Sequence, residues 1–295
     1  MSKRFEGIFA ALTTPFVHEE ASVPKFKENI AKFNETGLAG YLILGSTGES
    51  VSLSDVESEA LVRAARESAA PGKKVIAGTA RESTKLTLEF TNRAAGLGVD
   101  AALVRPPSYY KAKMNVDALR AYYLAVADGA KLPVIIYNIP QNTGIFLESQ
   151  LIVELARHPN VIGLKESTGN LAFLGEVIRL VPPDFHYFLG SGSVFLPALE
   201  LGACGAILAV ANAAPEICVK IYKLFREGRL EEARSLQLDL LPFNKTIMEE
   251  AGIPGLKHAL DLRGYYGGPA RLPLLPVDEQ TRSDLAAHMK RLGIL

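Results

Sequence analysis

The sequence is short of cysteine, of paired histidines, of net charge and of long apolar runs, and each shortage removes a class of function. Its two cysteines, Cys204 and Cys218, stand too far apart for a CxxC pair and are too few for a disulfide framework. That usage suits a reducing compartment, and Cys204 reads as a small core residue. His18, His158, His186, His258 and His288 are scattered with no two at ligand spacing, so a metal site would have to gather its ligands across the fold. Lysine plus arginine, 32, equals aspartate plus glutamate, 32, which leaves no net field to draw nucleic acid or an anionic membrane. No apolar stretch is long enough to span a bilayer, and Met1 to Gly7 reaches a strand-like segment without a signal-like run, so a cytoplasmic location is expected. No G-x-S-x-G elbow surrounds a serine, and no GK[ST] ending follows a glycine-rich turn. Where a dinucleotide fold places GxGxxG after its first strand, this chain has Thr13-Thr14-Pro15.

What the chain does have is a repeat of one unit. Short aliphatic runs over 8–12, 40–44, 74–77, 101–104, 133–137, 161–165, 185–189 and 205–208 predict strands. Between them, segments of helical period lie over 24–35, 55–68, 84–95, 116–127 and 147–156. Pro24 suits a first helical turn, and Ser54 with Glu57 has capping-box spacing. Eight strand–helix units predict parallel strands closed into an α/β (β/α)8 TIM barrel over 1–226, its last helix being 215–226. Three further helices, over 230–250, 255–262 and 279–291, form a C-terminal extension spanning 227–295 and lie beyond what the barrel needs.

In such a barrel the active site forms where strands end and loops begin. The run Val161-Ile162-Gly163-Leu164-Lys165 ends in a lysine. Read with period two, Val161, Gly163 and Lys165 share the inward face and Gly163 leaves the lysine room. Burial penalises the ammonium and so favours the neutral amine, the form that adds to a carbonyl to make an imine. The alternative is a strand-end lysine that snorkels to solvent or pairs with Glu166. Tyr137 ends the neighbouring strand on the same side, either as a proton shuttle for an imine or as a core tyrosine. Gly45-Ser46-Thr47-Gly48-Glu49 offers hydroxyls and amides to a small carboxylate, or is a loop leading to a capped helix. Gly190-Ser191-Gly192 either cradles a phosphate or gives a substrate close access to backbone. Tyr109 and Tyr110 form an exposed aromatic pair suited to a site wall or a subunit contact, or else to ordinary loop packing.

Three motifs, Gly45-Ser46-Thr47-Gly48-Glu49, Tyr137-Asn138-Ile139-Pro140 with Thr143-Gly144, and Gly163-Leu164-Lys165-Glu166-Ser167, resemble the dihydrodipicolinate synthase and N-acetylneuraminate lyase superfamily of pyruvate-handling class I aldolases. The resemblance implies that Lys165 forms the imine with pyruvate, without metal or other cofactor, that Tyr137 shuttles protons, and that Ser46 and Thr47 hold the carboxylate. It further implies that Gly190 and Ile207 line the pocket and that Tyr110 completes the site of a neighbouring copy in a homodimer or homotetramer. One position departs from the synthases, which carry an arginine after the YNxP motif to clamp the aldehyde's carboxylate; this chain has Asn142 there. Together with Ser46, Ser167 and the tail Gly252-Ile253-Pro254-Gly255-Leu256-Lys257, that departure is similar to 4-hydroxy-2-oxoglutarate aldolases. Their substrate yields pyruvate and glyoxylate, and Ser46 and Ser167 would hold the glyoxylate end. The synthase reaction with aspartate semialdehyde, and the cleavage of a sugar acid, are the alternatives.

Overall fold

A computed structural model describes residues 5–295. Eight strands close into a parallel barrel: β1 (Gly7–Ala11), β2 (Gly40–Ile43), β3 (Lys74–Gly78), β4 (Ala101–Val104), β5 (Val134–Asn138), β6 (Val161–Glu166), β7 (His186–Leu189) and β8 (Gly205–Leu208). Each pairs with its sequence neighbours, and β1 closes the ring against both β8 and β2. Helices cover the outer face, which is why nearly every strand residue is buried and the strands read as apolar runs. The interior is filled from alternate positions by Phe9, Leu42, Ile76, Leu103, Ile135 and Phe188. Phe9 and Phe188 meet edge to face across it, with ring centres 5.6 Å apart. The predicted strands all form, their ends displaced by a residue or two.

One strand departs from the alternation read in the sequence. Val134 pairs with Val161 but Ile135 pairs with Gly163, so Ile162 is an extra residue in β6, a β-bulge. Val161 therefore packs in the outer layer, against the expected inward placement, while Ile162 packs against the interior cluster. From Gly163 onward the predicted faces hold, with Leu164 outward. Gly163 also has a different reason from the one expected. A Cβ there would lie 2.4 Å from the His186 carbonyl oxygen of β7, so glycine admits the neighbouring strand's backbone.

Helices Asp55–Ser68 and Glu279–Arg291 form as predicted, and Ser54 and Glu57 make the capping box reciprocally. Helices Leu171–Leu180 and Phe195–Glu200 complete the ring and had not been singled out in the sequence. The tail differs too: instead of a break between 250 and 255, helix Leu230–Lys245 continues through a π-helical turn, Thr246–Ala251, into helix Gly252–Leu262. Pro254 has no N–H to return to the carbonyl four residues back, and the chain crosses that gap through the wider turn and Gly252 at φ +59°. Cys218 is fully buried, its thiol pushed up to about 12 by burial. Cys204 is only half-buried, its thiol donating to the Tyr187 carbonyl at 3.2 Å.

The bulge makes a prediction. Gly163→Ala should lower unfolding free energy by about 1–3 kcal/mol through backbone overlap. Gly175→Ala, in helix Leu171–Leu180 with no atom near its added methyl, should stabilise by about 0.5–1 kcal/mol. Denaturant titrations of both variants decide it, and equal effects would contradict the assignment of Gly163 to close strand approach.

Candidate active site

The register of β5 against β6 sets Tyr137 directly beside Lys165. Lys165 Nζ donates to Tyr137 Oη at 3.3 Å and stands 4.4 Å from the centre of the phenol ring. The two residues are 4% and 5% exposed, so the lysine does not snorkel to solvent. Nor does it pair with Glu166, which points to the opposite face of the strand. The Glu166 carboxylate accepts the Thr168 N–H at 2.6 Å and the Gly169 N–H at 3.2 Å. Burial raises its pKa while those hydrogen bonds work against the rise. Its part is to hold the turn that carries Ser167.

The loop after β2 is held in a costly shape. Leu44 and Glu49 take left-handed backbone at φ +55° and +54°, which non-glycine residues seldom adopt. Between them the Gly48 N–H donates to the Gly45 carbonyl at 3.1 Å and the Glu49 N–H to the Ser46 carbonyl at 3.0 Å. Thr14 Oγ1 donates to the Gly48 carbonyl at 2.7 Å, tying the loop to the end of β1. Ser46 and Thr47 then face the cavity that contains Lys165.

That cavity, about 740 Å³, brings together Lys165, Tyr137, Ser46, Thr47, Ser167, Asn142, Gly190 and Ile207. Gly190 is needed for contact between loops, since a Cβ would fall 1.9 Å from Ser167 Oγ. Its N–H donates to the Glu166 carbonyl at 2.5 Å. Gly192 does not open as a phosphate cradle, because Asn244 packs over it and a Cβ there would meet Asn244 Oδ1 at 2.3 Å. Asn142 is exposed at the rim, in the short turn Pro140–Thr143. Tyr110 stands apart. It is 72% exposed, meets Tyr109 edge to face with ring centres 5.1 Å apart, and is not among the residues lining the cavity of its own chain.

The cavity has a roof that the strand-and-loop pattern of the sequence does not reveal. Asn244, Met248, Glu249, Glu250 and Ile253 come from the tail and close over Lys165, so the extension is not surplus to the barrel. Asn244 Nδ2 donates to Ser193 Oγ at 2.9 Å. The adjacent Ile253-Pro254, apolar residues at a helix start, are the signal that this segment needs a surface to cover. A second cavity of about 420 Å³ shares Ser46, Tyr137 and Asn142 and adds Arg105, whose guanidinium lies 2.8 Å from Glu82. Among the described residues no group of three or more His, Cys, Asp or Glu is placed to hold a metal ion, and no helix is long and apolar enough to cross a membrane.

Arg271 anchors the tail to the barrel. Its guanidinium lies 2.5 Å from Glu57 Oε1, donates to the Ser52 carbonyl at 2.6 Å and covers the Phe16 ring at 4.3 Å. The Arg271 hydrogen bond holds the Glu57 carboxyl at about 2, well below its ordinary 4.5. A lowered folded-state value contributes stability in full above about 4.5 and loses it as the pH falls toward 2. Glu57→Gln should therefore lower the Tm at pH 7, and the gap to the parent should close as the pH is taken below 3. Thermal melts across that range test it, and a gap independent of pH would contradict it.

Comparison with known proteins agrees with this geometry. The profile of the dihydrodipicolinate synthetase family matches residues 4–292. The 4-hydroxy-tetrahydrodipicolinate synthase of Methanospirillum hungatei is 35% identical over 291 residues, covering 97% of this chain and 99% of that protein. That of Methanopyrus kandleri is 33% identical, covering 100% and 99%. Among solved structures, dihydrodipicolinate synthase from Cyanidioschyzon merolae with lysine bound gives a TM-score of 0.94 at 31% identity, covering 99% of this chain and 100% of that one. The chloride-inhibited enzyme from Acinetobacter baumannii complexed with pyruvate gives 0.93 at 29% identity, covering 98% and 99%. Members of this family are carbon–carbon lyases of the class I aldolase type, which use a lysine Schiff base with pyruvate and no metal cofactor. With profile, relatives and fold in agreement over nearly the whole chain, this protein belongs to the dihydrodipicolinate synthetase family and is a lyase of that type.

Proposed function

We propose that the chain cleaves 4-hydroxy-2-oxoglutarate to pyruvate and glyoxylate through an imine at Lys165. The observation that carries the choice of substrate is Asn142 at the rim of a cavity in which Lys165 is the sole basic residue among those described. An aldehyde with its own carboxylate on a longer chain calls for a bidentate guanidinium, and asparagine cannot supply one. The short glyoxylate end needs less, and the Ser167 hydroxyl lies in the same cavity.

In this reading the Lys165 amine adds to C2 of the substrate, and Tyr137, within hydrogen-bonding distance, moves the protons that convert carbinolamine to imine. Tyr137 then takes the proton of the C4 hydroxyl. The C3–C4 bond breaks with its electron pair delocalised to the imine nitrogen, and glyoxylate leaves. Protonation of the enamine and hydrolysis release pyruvate and restore the amine. Ser46 and Thr47 hold the C1 carboxylate, while Gly190 and Ile207 shape the pocket. Residues 1–226 supply the chemistry and 227–295 the cover. The exposure of Tyr110 supports its entry into a neighbouring copy's site, in a dimer or tetramer, and a sequence with only two cysteines suits the cytoplasm.

The relatives' shared name makes 4-hydroxy-tetrahydrodipicolinate synthase the second reading, with Arg105 in the adjoining cavity as the cation that would face the second substrate. Assays on one preparation separate the two. Cleavage of 4-hydroxy-2-oxoglutarate should exceed condensation of pyruvate with aspartate semialdehyde in kcat/KM, and the reverse order would overturn the proposal. Borohydride with pyruvate should leave a stable adduct on Lys165, and peptide mass spectra without it would remove the imine. Tyr137→Phe should lower kcat by roughly 10²–10⁴-fold, the span of a lost general acid–base group. A loss smaller than tenfold would take the proton shuttle away from Tyr137.

A further inference from the structure

Lys257 has no solvent exposure at all, yet it carries a charge the reaction does not use. Helix Gly252–Leu262 places its ammonium 2.6 Å from Glu49 Oε1. The same ammonium donates to the Pro269 carbonyl at 2.8 Å and lies 4.4 Å from the centre of the Phe16 ring. Glu49, 2% exposed, accepts the Arg271 backbone N–H on its other oxygen at 2.8 Å. Burial works against the ammonium and Glu49 counters it. A buried ion pair adds little stability over a well-packed apolar pair, although removing one partner strands the other. What it does fix is position.

Glu49 is the last residue of the strained loop that presents Ser46 and Thr47 to Lys165. Its backbone N–H is bonded to the Ser46 carbonyl, so its side chain is the outward anchor of that turn. The anchor is set in the tail, not in the barrel. Without it, the left-handed backbone at Glu49 has one restraint fewer against relaxing, and the two hydroxyls would move with it.

We propose that Lys257 is a positioning residue for the carboxylate of the 2-oxo acid, acting through Glu49 on Ser46 and Thr47. This rests on the proposed imine chemistry at Lys165. It makes the C-terminal extension part of the substrate site and ties its integrity to recognition of the keto acid.

The test is the double variant Lys257→Met with Glu49→Gln, which removes both charges and so strands neither. Its Tm should stay near that of the parent. The KM for the 2-oxo acid should rise by roughly tenfold to a hundredfold, the range for a displaced binding group, with kcat at saturation within about threefold. Borohydride trapping of hydroxyacetone, a ketone without a carboxylate, should be unchanged while trapping of pyruvate weakens. Unchanged pyruvate affinity, or equal loss for both ketones, would overturn the proposal. Amide hydrogen exchange over 45–50 reads the anchor without any substrate, and should quicken in the double variant. A parent protein that fails to trap pyruvate would refute the imine reading, while the exchange measurement still decides whether Lys257 holds the loop. Should the double variant not fold, Lys257→Gln with Glu49→Gln, which likewise removes both charges, is read the same way.

Discussion

The structure depends on a pairing of two side chains across neighbouring strands, the Lys165 amine against the Tyr137 phenol. Side chains in a sheet alternate, so a slip of one residue would turn either group outward. The bulge at Ile162 fixes the phase. It resets β6 after Val161, so that the lysine arrives inward and level with the tyrosine at the strands' C-terminal ends. Gly163 lets β7 close against the reset strand. A bulge beside an active site re-aims a side chain, and here the re-aimed group is the amine.

Around that pair the chain divides its work by stiffness. The strands supply the amine and the phenol because a closed barrel packed on both faces cannot let them drift. The loops after β2, β6 and β7 supply hydroxyls and glycine-opened backbone, and each is tied down by a buried carbonyl or carboxylate. Left-handed backbone at Leu44 and Glu49 costs on the order of 1–3 kcal/mol per residue. That strain is held by Thr14, by Arg271 and by the ion pair from Lys257. The tail closes the cavity from above and anchors the loop from the side.

Much of this was legible in the sequence because parallel strands buried on both faces read as short apolar runs, and eight of them admit few closures. Lys165 and Tyr137 were legible because each polar group ends an otherwise apolar strand. The face of Val161 was not, since a single extra residue leaves no mark on composition. The roof was not legible either, because an amphipathic helix does not announce which surface it covers. The partnership of Glu49 with Lys257 joins opposite ends of the chain, and neither residue looks unusual in its own segment. Asn142 shows the reverse case: the residue is plain in the sequence, and its meaning comes from the cavity it borders.

The central claim is a covalent bond between Lys165 and the keto carbon of pyruvate. A crystal structure of the protein soaked in pyruvate tests it most directly. The account predicts continuous density from Nζ to C2, the Tyr137 hydroxyl beside the new bond, and the carboxylate on Ser46 and Thr47. Pyruvate bound elsewhere, or resting unlinked beside an intact lysine at saturating concentration, would contradict it.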